Sequence, residues 1–263
     1  MNINNTLITL GFFTISGAML SQNNTPDLVT DRPDATEAPT VVPKGSLQVE
    51  TGAVYTSFEN QGIKQETTVY NTSLLRYGIL DNFELRLGWN LLEDRTSTAE
   101  GSSTFKANGF SPLLLGMKVA IMEEKGWMPE IGLIGHIFLP FTAADAFKPQ
   151  FTSTDFRFAF NHTLSEKSGL AYNVGAQWGD DSPEAAYIYT LAYGYAITEK
   201  LGTYVEVYGD FPEQNKANHF WDAGLTYLVA PLVQLDVTVG TSFTDGQDLL
   251  VSGGVSFRID KKQ

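Results

Sequence analysis

The run "FELRLGWNL" (83–91) alternates without a slip. In an extended chain Phe83, Leu85, Leu87, Trp89 and Leu91 share one face, and Glu84, Arg86, Gly88 and Asn90 share the other. A helix would scatter these residues around its circumference, so the run reads as a strand with one apolar and one polar side. The pattern returns in "TDFRFAFNH" (154–162), "LAYNVGAQW" (170–178), "VQLDVTVG" (233–240) and "LLVSGGVSFRI" (249–259). No segment sustains a 3.6-residue period.

Working outward from these runs predicts about twelve strands, an even number as in single-chain outer-membrane barrels. They fall near 47–58, 66–79, 83–92, 109–122, 127–138, 151–163, 169–179, 185–197, 201–210, 219–229, 232–243 and 248–259. Linkers after even strands are tight: "LDN" (80–82), "EEKG" (123–126), "SEKS" (165–168), "TEK" (198–200) and "AP" (230–231). Those after odd strands are mostly longer, with extremes in "EDRTSTAEGSSTFKAN" (93–108) and "LPFTAADAFKPQ" (139–150). Short turns at one rim and long loops at the other are the outer-membrane arrangement, the short side facing the periplasm. Aromatic residues gather near both strand ends, as girdles at the headgroup level require.

Periodicity alone does not say which face is wet, because a soluble barrel and a membrane barrel exchange them. Glycine and charge decide for a polar interior. Gly52, Gly88, Gly116, Gly132, Gly175 and Gly254 fall on the polar parity; glycine weakens a solvent-facing strand but makes room in a crowded lumen. The same parity carries both signs of charge, which can pair across a narrow interior. The expected fold is all-β: a single antiparallel up-and-down transmembrane barrel with short periplasmic turns and longer extracellular loops.

The rest of the composition narrows the function. The 263 residues include no Cys, which excludes disulfides and thiolate metal sites, and a formal charge of −13 argues against nucleic-acid binding. Residues 1–21 carry no ionisable side chain, and their apolar run from Leu7 to Leu20 has the length of a signal-peptide core. The expected organisation is a signal peptide (1–21), a periplasmic extension or plug (22–46), the barrel (47–259) and a short tail (260–263).

Between leader and first strand lies "TDRPDATEAPTVVPKGSLQVETG" (30–52), where Pro33, Pro39 and Pro43 forbid a helix and disfavour a central strand. Thr30, Asp31, Arg32, Pro33, Asp34, Thr36, Pro43, Lys44, Gly45, Gln48, Glu50 and Gly52 resemble the N-terminal signature of a bacterial outer-membrane family, described as transporter-like or as a component of a phenol-degradation pathway. The resemblance runs along nearly the whole chain, the barrel part in pattern only. It implies an exported outer-membrane barrel that passes a small solute, with an aromatic or hydrophobic compound as the substrate class.

The expected site is the lumen. Its selectivity residues are Glu50, Glu84, Arg86, Glu130, His136, Arg157, Glu206, Asp210, Asp222, Asp236 and Arg258, whose acidic excess favours cations or neutral solutes. Tyr70, Phe138, Tyr204 and Tyr208 share the lumen parity and offer an apolar slide. Asp31, Arg32 and Asp34 form the candidate plug or gate, Arg32 toward Glu50 or Glu84 and the two acids toward Arg86 or Arg258. A barrel of this size can also be filled by its side chains, which keeps a structural or surface-binding role as an alternative. A lipid hydrolase would need a Ser-His-Asn set, for which Asn161, His162 and Ser165 are the only local candidates, beside a periplasmic turn. A soluble periplasmic barrel is the remaining reading. No catalytic residue, metal or cofactor is expected; the partners are outer-membrane lipid and a small solute.

Overall fold

The structure, a computed structural model, describes residues 26–98, 103–179, 184–244 and 246–261. The signal-peptide reading of 1–21 lies outside the described residues. Thirteen strand segments follow one another: β1 (Leu47–Asn60), β2 (Ile63–Leu80), β3 (Phe83–Thr98), β4 (Ser103–Phe110), β5 (Leu113–Met122), β6 (Glu130–Leu139), β7 (Ser153–Ser165), β8 (Ser168–Trp178), β9 (Ala185–Ala196), β10 (Leu201–Pro212), β11 (Asn218–Ala230), β12 (Val233–Ser242) and β13 (Leu249–Ile259). All pairings between them are antiparallel, and β13 closes the ring on β1 with Gln48 opposite Arg258 and Gly52 opposite Gly254.

β4 and β5 are two pieces of one stave. β3 pairs with β5 over Phe83–Gly88 and with β4 over Leu91–Ser97. The break falls at Pro112, which has no backbone donor to give a ladder. Ser111 bridges the break: its N–H donates to the Asn90 carbonyl at 2.9 Å, and its hydroxyl accepts from the Asn90 N–H at 3.0 Å. The result is a closed antiparallel barrel of twelve staves.

Two loops expected from the sequence are strand instead. β1 and β2 continue to a two-residue turn at Gln61-Gly62, whose φ angles of 51° and 75° are the left-handed pair that tight hairpins require. β3 runs on to Thr98 and pairs with β4 through most of the expected 93–108 loop. Both extensions are polar on both sides, so a hydropathy period cannot mark them. A register shift between Val69 and Asn71 also reverses the parity of β2. It turns Tyr70 outward, 54% exposed and bonded to Glu93, and removes it from the expected lumen slide.

The barrel is inside out relative to a soluble one. Along β12, Leu235, Val237 and Val239 are exposed while Gln234, Asp236 and Thr238 are buried. The largest fully buried side chains include Arg76, Lys118, Gln48, Glu50, Glu84 and Glu206. Tyr77, Tyr195, Tyr227 and Trp127 stand exposed toward the short turns, and Phe211 and Phe243 toward the other rim. Amphipathic and aromatic rings at both ends of an apolar band mark the two membrane interfaces.

Candidate functional site

The polar lumen is not left to water. The extended segment from Pro26 to Ser46 passes through it, and the wall side chains take up its backbone groups. Glu50 accepts the N–H groups of Asp31 and Arg32 at 3.0 and 2.9 Å. Glu206 accepts Ala35 N–H at 2.8 Å, Asn173 accepts Glu37 N–H at 2.8 Å, and Glu84 accepts Val42 N–H at 2.7 Å. Carbonyls are answered as well: Gln48 donates to Val29, Lys118 to Ala38, Arg76 to Thr40 and Asn173 to Glu37. A chain without secondary structure leaves its peptide groups unpaired unless side chains supply partners. Here four prolines cut the number of donors, and wall carboxylates and an amide accept those of Asp31, Arg32, Ala35, Glu37 and Val42.

Asp31 is the hub. Its carboxylate meets Lys118 Nζ at 2.7 Å, Arg76 Nη1 at 3.1 Å and Arg86 Nη2 at 3.1 Å, and also accepts the Ala38 N–H at 3.1 Å. Burial opposes its charge, but Arg76, Lys118 and Arg86 outweigh burial and hold the carboxyl below its ordinary value. Arg76 in turn binds Glu50 at 2.9 Å and Glu84 at 2.8 Å, all three side chains fully buried. Arg32 forks onto Asp236 at 2.8 and 3.2 Å and reaches Thr72 at 3.2 Å. Its side chain therefore pairs with neither Glu50 nor Glu84; Glu50 takes only its backbone. Gly52 and Gly254 face each other beneath this guanidinium, and a Cβ at either would lie within 2.8 Å of it. Gly132 gives the same clearance to Pro39.

Across the lumen the field reverses. Glu206 and Asp222 are directly opposed on β10 and β11, and both are buried. Burial, and then Glu206 with Asp222 close by, push the Asp34 carboxyl well above its ordinary value. Thr36 donates its hydroxyl proton to Glu206 and pairs with the Thr190 hydroxyl, 2.8 Å away between oxygens. Glu37 bonds to Arg86 and lies 3.7 Å from Arg157. Burial raises its carboxyl, yet Arg86 and Arg157 prevail and hold it well below the ordinary range.

The other expected residues take these places. Glu130 accepts from Thr40 at 2.9 Å, and His136 Nδ1 meets Asp155 at 3.0 Å. Asp210 accepts from Asn218 at 2.9 Å near the loop rim. Arg258 does not meet Asp31 or Asp34. It binds Asp260 at 2.7 Å and the carbonyls of Pro26 and Asp27, tying the segment's entry to β13. Ser165 and His162 have different partners, Ser168 at 2.8 Å and Tyr172 at 3.5 Å. Phe138 and Tyr208 line cavities in the lumen, and the Tyr204 hydroxyl bonds to Thr238 at 2.8 Å.

Cavities flank the segment. One of about 290 Å³ is lined by Trp89, Leu114, Phe138, His136, Arg86 and Glu37. A second of about 280 Å³ touches Arg86, Arg157, Asp34 and Glu37. A third of about 350 Å³ lies along Tyr189, Tyr208, Phe220 and Arg157.

A comparison with known families matches residues 30–259 to the family described as "Putative MetA-pathway of phenol degradation". The chain belongs to this family. Among solved structures it is similar to an outer membrane channel from Pseudomonas putida F1, at 14% identity and a TM-score of 0.66, covering 84% of this chain and 97% of that one. It is also similar to the NanC porin, at 10% identity and a TM-score of 0.51, over 81% of this chain and 100% of that one. The translocator domain of autotransporter NalP from Neisseria meningitidis aligns at 9% identity and a TM-score of 0.50, over 84% and 90% of the two chains. These identities speak to fold: the neighbours are outer-membrane barrels. No curated protein matches.

Sequence reasoning missed Arg76 and Lys118, the two most enclosed cations. Lys118 sits in "LLLGMKVAIM", where apolar neighbours on both sides blur the alternation; its parity with Gly116 was the usable signal. Arg76 follows two consecutive leucines in β2, and only its position opposite Arg86 and Gln48 marks it as inward.

Proposed function

We propose that the protein is a passive outer-membrane channel for a small solute, closed in this state by residues 29–43 acting as a plug. One observation carries the reading: a plug held across the lumen by side chains from β1, β2, β3, β5, β8 and β10, with cavities on its flanks. The family's link to phenol degradation and the ring surfaces of Phe138 and Tyr208 support an aromatic or hydrophobic solute. Of the lumen charges, Arg76, Arg86, Lys118 and Arg157 lie on β2 to β7 together with Glu84 and Glu130, and Glu206, Asp222 and Asp236 lie on β10 to β12.

The test uses the absence of native Cys. Thr36 and Thr190, with hydroxyls 2.8 Å apart, are replaced by a cysteine pair that can bridge plug to wall. Planar-bilayer conductance is expected to fall when the pair is oxidised and return on reduction. Equal conductance in both states would remove the plug's gating role. The density of buried ion pairs also supports a second reading, a filled barrel with a structural role; silence of the reduced protein would favour it.

A further inference from the structure

We propose that the cleft between Arg86 on β3 and Arg157 on β7 is a binding site for the carboxylate of a small aromatic or alicyclic acid, and that Glu37 occupies it as a tethered stand-in. The inference rests on the channel reading and adds a solute class to it. Glu37 offers one oxygen to each guanidinium: Oε2 bonds to Arg86 Nη1, and Oε1 lies 3.7 Å from Arg157 Nη1. The second contact is too long for a hydrogen bond. Arg157 is therefore weakly served, its other acidic neighbour being Asp155 with 3.8 Å between Arg157 Nε and Oδ1.

Donors are left over at this cleft. Arg86 Nε and Arg157 Nε are buried and have no hydrogen-bond partner among the described residues. Buried donors without partners cost free energy, and a planar guanidinium is built to be met by two acceptors at once. The two arginines reach the same plug carboxylate from β3 and β7, with the β4–β5 stave and β6 between them. His136 Nδ1 donates to Asp155 on β7, which makes Nε2 the acceptor of the neutral ring, so His136 adds no free donor to the cleft.

The space beside these donors has the shape of a ligand rather than of water alone. The 280 Å³ cavity is lined by Arg86, Arg157 and Glu37, and the 290 Å³ cavity shares Arg86 and Glu37 and adds Phe138 and Leu114. The charged end suits a carboxylate, and the ring-lined end suits the carbon skeleton attached to it; few polar groups within apolar walls characterise small-molecule sites. Glu206, Asp222 and Asp236 line neither cavity, whereas Glu50 and Arg32 line both. A free carboxylate must compete with Glu37, whose tether gives it a millimolar-scale effective concentration. Burial of the ring against Phe138 and Leu114 is the advantage a solute has and Glu37 lacks.

The experiment is calorimetric titration of the full-length detergent-solubilised protein with benzoate, benzyl alcohol and toluene. Glu37→Gln, which removes the internal competitor's charge, is expected to tighten benzoate at least tenfold and leave benzyl alcohol unchanged. Arg157→Gln is expected to weaken benzoate at least tenfold, while Arg157→Lys, which keeps the charge but loses the fork, recovers part of it. Variants are first shown to be folded by heat-modifiable gel mobility. Equal binding of benzoate and benzyl alcohol, or no tightening in Glu37→Gln, overturns the proposal. Conductance of the same preparations separates the two readings. A conducting protein without benzoate binding overturns the carboxylate site alone. Benzoate binding by a silent protein supports the site and leaves the channel reading to fail by itself.

Discussion

Asp31 and Asp34 are three residues apart on the same segment and stand in opposite fields. Asp31 is surrounded by Arg76, Lys118 and Arg86; Asp34 shares its side of the lumen with Glu206 and Asp222. Removing the Asp31 carboxylate leaves three buried cations with one acid fewer. Breaking a buried pair by deleting one partner costs about 3–5 kcal/mol, so Asp31→Ala should lower stability on that scale in chemical denaturation. For Asp34 the sign runs the other way. Its docked carboxyl lies above the ordinary value of 3.8, so the docked plug holds a proton that the undocked plug releases. The Asp34 contribution to docking is greatest in acid and is lost as pH rises through the raised value, whereas Asp31 and Glu37, held below their ordinary values, weaken docking only where stronger acid protonates them. Conductance should therefore rise with pH, and Asp34→Asn should flatten that rise by keeping the site neutral. A pH profile unchanged by Asp34→Asn would show that this carboxyl does not govern docking. Much of this was legible: Asp31, Arg32, Asp34, Glu50, Glu84 and Arg86 all stand out from parity or from the proline-rich stretch. The partners were not, because parity says which face a residue takes and not which neighbour a folded-in segment brings to it.

The strands were legible where they cross the membrane and not where they leave it. β12 and β7 alternate because one face meets lipid and the other a polar interior. The upper halves of β3 and β4 have polar residues such as Thr96, Ser97 and Lys106 on both faces, since water lies on both sides of them. The bulge at Val69–Asn71 is a backbone event without a hydropathy mark, and it alone moved Tyr70. The lipid face carries its own prediction. Val237 lies mid-strand on β12 and is 54% exposed, with Leu235 and Val239 beside it. Val237→Arg places a cation at the middle of the apolar band, where the cost is about 2–4 kcal/mol. Reversible unfolding in lipid vesicles should show a loss of that size. The same substitution at Phe243, at the loop rim, should cost about 1 kcal/mol or less, because the penalty falls with depth.

At the scale of the whole molecule, barrel and plug are one electrostatic object. The ring supplies Arg76, Arg86 and Lys118, and the plug supplies Asp31 and Glu37 to meet them. Residues 23–42 carry Asp27, Asp31, Asp34 and Glu37 against Arg32, a net of three negative charges. Deleting them opens the lumen and makes it more positive in the same step. Conductance in planar bilayers should rise, and the reversal potential under a salt gradient should shift toward anions, since fixed charge lining a pore sets which ion enters. Lys118 and Arg86 lose their acidic partners in this variant while Arg76 keeps Glu50 and Glu84, so its shift should be larger at low salt, where screening is weaker. A synthetic peptide of residues 23–43 added from the periplasmic side should reverse both effects, because the wall still offers Glu50, Glu84, Asn173 and Glu206 to its backbone. Raised conductance without the anion shift would mean that Glu206, Asp222 and Asp236 dominate the emptied lumen. Unchanged conductance would mean that residues 29–43 fill the barrel without closing it.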